Sequence, residues 1–67
     1  MITYSLDWEM RDGASGSEHY ADELEALEEM EELITDPEVI FAGVTMTETY
    51  GGMVRDVTTI REFERGE

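Results

Sequence analysis

The chain has no cysteine, no lysine and a single proline, and none of its apolar runs is long. Without cysteine, neither a disulfide nor a thiolate metal site can add stability. A membrane-spanning helix needs about 20 consecutive apolar residues, and none is in sight. Met1-Ile2-Thr3-Tyr4 has neither the basic start nor the apolar stretch of a secretory signal. Cations are the scarcest resource: four arginines stand against eighteen Asp and Glu, for a formal charge of −14. Such a chain repels phosphates and anionic lipids, which excludes direct binding to nucleic acid or to an anionic membrane surface. The expectation is a cytoplasmic protein with a basic partner.

What is present suffices for one small domain. At 67 residues, such a domain buries only about 60% of its unfolded surface. High net charge favours disorder. Here, however, 40% of residues are hydrophobic, and they recur in regular periods. Ile2, Tyr4, Leu6, Trp8 and Met10 alternate with polar residues, which predicts a half-buried strand over about 2–11. Asp12 to Ser17 reads as a Gly/Ser connector without the lysine or spacing of a phosphate loop. Ser15 and Glu18 have capping-box spacing, with Ser17 as the other cap. They predict a helix over about 18–35, with Tyr20, Leu24, Leu27, Met30 and Ile34 on one side. Asp36-Pro37 stops it.

Two more strands are predicted over about 39–49 and 54–63, joined by Gly51-Gly52, a two-residue hairpin signal. An unbroken register sets Glu48 opposite Arg55, Val44 opposite Thr59 and Ala42 opposite Arg61. Phe41, Val54 and Ile60 then fall on the reverse face, and a bulge would shift this pairing. Glu31 lies beside the apolar stripe of the helix, and Arg61 is its expected partner. The predicted fold class is α+β: a single β-α-β-β domain over 1–67, with a three-stranded sheet and one acidic helix packed on one face. The first and second strands would run parallel at the edges, with the third between them, after a right-handed crossover.

Catalytic and metal chemistry find little support, and the protein reads as a non-enzyme without a cofactor. His19 is the lone histidine. With Glu23 it makes two ligands where a metal site needs three or four. Asp7 to Gly13 lacks the spacing of a calcium loop. A general acid needs a desolvated carboxyl, whereas these acids read as a solvated face. Trp8, Tyr4 and the methionines read as core.

The acids are unevenly placed. Glu18 to Glu38 holds ten of them and no basic residue. Eight like-charge pairs at helical spacing cost about 2–4 kcal/mol in total before screening. A helix of that length spans on the order of 30 Å, giving about one charge per 3 Å, against about 3.4 Å per phosphate along one DNA strand. Glu18, Asp22, Glu25, Glu28, Glu29, Glu32 and Asp36 are the candidate partner-binding stripe, suited to a basic groove built for nucleic acid.

In length, charge and its acidic helix beside a small sheet, the chain resembles the small acidic DNA-mimic proteins of phages and mobile elements, anti-CRISPR proteins among them. No sequence motif carries the resemblance. It implies an inhibitor in the cytoplasm of a bacterial or archaeal host. Acting as a monomer or weak homodimer, it would block the nucleic-acid surface of a CRISPR effector complex. Two other readings stand beside it. Salt adaptation also yields acidic, lysine-poor chains, and an antitoxin or accessory protein with a basic partner would present the same surface.

Overall fold

The computed structural model describes residues 1–65. Five elements follow one another: β1 (Ile2–Met10), β2 (Ser15–Tyr20), α1 (Glu23–Leu33), β3 (Val39–Tyr50) and β4 (Met53–Glu64). The strands form one sheet in the order β2-β1-β3-β4, antiparallel at every junction. The expected three-stranded sheet is therefore corrected to four strands. β1 and β3 are adjacent and central rather than parallel at the edges, and β4 is an edge strand.

The missed strand is β2. Its sequence, Ser-Gly-Ser-Glu-His-Tyr, has one large apolar residue and no apolar alternation, so nothing local marks it. Its neighbour makes it a strand. Trp8 of β1 faces Gly16 of β2. A Cβ on Gly16 would fall 2.6 Å from Trp8 Cε2 and closer still to Cζ2, so the indole lies flat where glycine alone leaves room. The connector Arg11–Ala14 is a tight turn. The Met10 amide donates to the Ala14 carbonyl at 2.7 Å, the Ala14 amide donates to Asp12 Oδ1 at 2.9 Å, and Gly13 takes a φ of 95°.

Because β2 enters the strand ladder, the helix starts at Glu23, not Glu18, and ends at Leu33. Asp22 is the N-cap residue, without a side-chain cap bond. The crossover expected between the first two strands instead joins β2 to β3. These two flank β1 and run parallel to each other, since each is antiparallel to it.

Leu6, Ala26, Met30, Val39, Ala42 and Val44 are the buried core, with Tyr4, Trp8, Tyr20, Leu27, Leu33, Ile60 and Phe63 packed around it. Gly51 and Gly52 turn the β3–β4 hairpin with φ of 59° and 81°, the left-handed values that a type I′ turn requires. Two bulges shift its register, so Glu48 faces Asp56, Val44 faces Arg61 and Ala42 faces Phe63. The unbroken register is thus corrected. The bulge also brings Ile60 to the core instead of the reverse face.

Arg61 does reach the helix: its Nη1 donates to Glu31 Oε1 at 2.9 Å. No basic residue occupies the last turn of α1, where the exposed carbonyls favour a cation. Arg65 supplies it from beyond β4. Its guanidinium donates to the carbonyls of Ile34 (2.9 Å), Asp36 (3.2 Å) and Val39 (2.9 Å), while stacking 5.0 Å above the Phe63 ring.

Candidate acidic groove

The helix carries six acids: Glu23, Glu25, Glu28, Glu29, Glu31 and Glu32. Eleven residues rise about 16 Å, so the single 30 Å rod of charge does not form. The candidate stripe is distributed over three kinds of element. Glu18 is on β2, Asp22 caps the helix start, Glu25, Glu28, Glu29 and Glu32 are helical, and Asp36 lies in the loop after it. All seven are exposed.

The fold gathers them in two ways. At 100° per residue, Glu25, Glu28 and Glu32 form the crest of α1, opposite buried Ala26 and Met30. On the flank facing β2, Glu18, Glu29, Glu32 and Asp36 surround an open groove of about 430 Å³. Leu6, Trp8, Tyr20 and Leu33 line it. Glu18 joins this set because it pairs with Leu6, and so shares that residue's face of the sheet. Had Glu18 opened the helix, it would have had no part in this groove.

Tyr20 reports the local field. Its phenol pKa is raised, first by burial and then by the carboxylates of Glu29, Glu18 and Glu25. These acids come from two elements and act on one ring. The groove thus combines an apolar floor with a negative rim. Such a site suits a cationic group with an apolar stem, as in arginine or lysine.

The other flank of α1 differs. Leu24, Leu27, Glu28, Glu31 and Arg61 line a second hollow there, and Arg61 is bound to Glu31. Arg11 donates to the Pro37 carbonyl at 3.3 Å and lies 3.9 Å from Glu38. Among the described residues, no arginine forms an ion pair with Glu18, Glu25, Glu28, Glu29 or Glu32.

His19 is placed on β2 opposite Ser5, on the sheet face away from the helix, not in a first helical turn beside Glu23. Among the described residues, no cluster of three or more His, Asp and Glu is arranged to hold a metal ion, and no helix is long and apolar enough to cross a membrane. The aromatic half of the groove escaped sequence reasoning. Its one signal was Gly16, eight residues after Trp8, which has meaning only once β1 and β2 are paired.

The chain matches no known protein family, no curated protein and no solved structure.

Proposed function

We propose that the protein is an inhibitor that imitates the negative charge of nucleic acid and occupies the basic nucleic-acid-binding surface of a protein complex, a CRISPR effector being the expected target. The observation that carries this reading is the acidic crest and groove rim, free of arginine partners among the described residues. A domain of this size has little stability to spare. Holding like charges at helical spacing costs some of it, and arginines placed there would have offset that cost. Three of the four arginines are instead bound at Glu31, Pro37 and the helix C-terminus. The mimicry is that of a patch, not a rod. Carboxylates displace the counterions of a Lys/Arg channel, and Trp8 and Tyr20 offer an apolar seat to the stem of an inserted basic side chain.

The test is charge reversal. Glu25, Glu28, Glu29 and Glu32 changed together to Lys should abolish binding to the basic complex captured by the native chain, with the circular dichroism of the fold retained. Duplex DNA should compete for that complex, and added salt should weaken binding steeply. Undiminished inhibition by the quadruple variant would sink the proposal.

One observation favours a second reading, salt adaptation. Acids also occupy the opposite sheet face, where Asp7 and Glu62 flank Gly43 and Glu9 and Glu64 flank Phe41. On that reading the fold needs brine to screen its charge. Its circular dichroism should then collapse in low salt, whereas a mimic from an ordinary host stays folded.

A further inference from the structure

β4 is a twelve-residue edge strand without proline, and its charged residues and two bulges, which elsewhere blunt an edge, fall here into a self-complementary pattern. It is also exposed along most of its length, with Met53, Val54 and Val57 at 73%, 64% and 58%. Its other edge counterpart, β2, has six residues and is mostly polar. We propose that the chain pairs with a second copy of itself, antiparallel along β4, to form a continuous eight-stranded sheet. This inference does not depend on the function proposed above.

The self-complementarity of β4 carries it. Alternate β3 residues Ala42, Val44, Met46, Glu48 and Tyr50 lie level with Phe63, Arg61, Thr58, Asp56 and Met53 of β4. These five levels are evenly spaced and centred on Thr58. A twofold axis normal to the sheet beside Thr58 therefore sets Thr58 against its own copy. It also sets Arg61 against Asp56 of the second copy, Asp56 against its Arg61, and Phe63 against its Met53. All these residues share one face of the sheet. Charge meets opposite charge twice, through guanidinium N–H groups of Arg61 other than the Nη1 that holds Glu31, and apolar meets apolar twice. On the other face, Thr59 comes level with Val57 of the second copy, a pairing of β-branched side chains.

Read as bare sequence, Asp56 and Arg61 are not symmetric about Thr58, being two and three residues away. The bulge between Thr59 and Arg61 takes up the extra residue. The bulge at Ile60 thus makes Arg61 and Asp56 symmetric about Thr58, and the second bulge, at Arg55, does the same for Phe63 and Met53. Such an interface is isologous and closes as a dimer.

The native chain contains no cysteine, so one introduced thiol gives a clean readout. In an antiparallel pair, opposed Cα atoms lie about 4.5–5.5 Å apart, within disulfide range. Thr58→Cys should cross-link into a covalent dimer on mild oxidation, while Ser17→Cys on the β2 edge should remain a monomer. Light scattering of the native chain, in enough salt to screen its net charge, should give twice the 7.7 kDa monomer mass as concentration rises. The chains Asp56→Arg and Arg61→Asp should each dimerise at least about tenfold more weakly, since two pairs change to like charge at once. Mixed in equal amounts they should associate, because each then presents what the other lacks. A native mass of 7.7 kDa at every concentration, or equal cross-linking through Ser17→Cys, overturns the proposal. So does full self-association of Asp56→Arg.

Discussion

The two flanks of the helix are held by different forces. Toward β2, contact is apolar: Leu33 of the helix and Tyr20 and Trp8 of the sheet pack against the core that holds Leu6, and Gly16 makes room for the Trp8 ring. Toward β4, contact is ionic and hydrogen-bonded: Arg61 holds Glu31, and Arg65 holds the carbonyl of Ile34 at the helix end with those of Asp36 in the following loop and Val39 at the start of β3. The apolar flank needs no cation, so its carboxylates remain unneutralised. The arginine flank uses the scarce cations as fasteners. With four arginines in the chain, where they are placed decides where the negative potential stays high.

The comparison breaks most readily at Gly16. Gly16→Ala puts a methyl group into the Trp8 ring and should cost about 1–3 kcal/mol through overpacking, seen as a lower urea midpoint and an altered Trp8 emission. Arg65→Ala should cost a similar or slightly smaller amount, about 1–3 kcal/mol, because it leaves part-buried carbonyls without their donor. Amide hydrogen exchange should rise first in the last turn of α1. Arg61→Ala should cost no more than about 1 kcal/mol, since both members of its pair are largely exposed. Its thermal midpoint should barely move.

The smallest effect sharpens the contrast through pH. The Tyr20 phenol is more basic when folded, so the unfolded chain loses this proton at lower pH. That contribution to stability is complete below about pH 10, the ordinary tyrosine value, and is lost as pH rises beyond it. Glu18→Gln and Glu29→Gln should each move the Tyr20 ultraviolet titration back toward its ordinary value. Glu31→Gln, on the arginine flank, should leave it in place.

Much of the fold was legible where a signal is local. The alternation of β1 shows in five residues, Gly51-Gly52 marks its hairpin, and Met30 lies on the apolar helical stripe. The partnership of Arg61 with Glu31 was also legible, although the register that suggested it was not the true one. β2 was illegible for a physical reason. Its backbone bonds are satisfied by β1, and its polar side chains carry no period of their own. The capping-box spacing of Ser15 and Glu18 was a real helix signal that the β1 edge outcompeted. That spacing starts the expected helix at Glu18, five residues before its start at Glu23, and so keeps Glu18 out of the groove.

The sequence by itself determined the charge, its concentration between Glu18 and Glu38, and the amphipathic character of β1 and α1. These are sums and periods, and both survive any change of topology. The tertiary structure alone decided which carboxylates face one another. Glu18 became a groove residue because β2 pairs with β1 and turns it to the side of Leu6. Asp56 and Arg61 became symmetric about Thr58 because a bulge absorbed one residue. Strand pairing turns a whole face with each residue of slip, and that choice is made by neighbours distant in the chain.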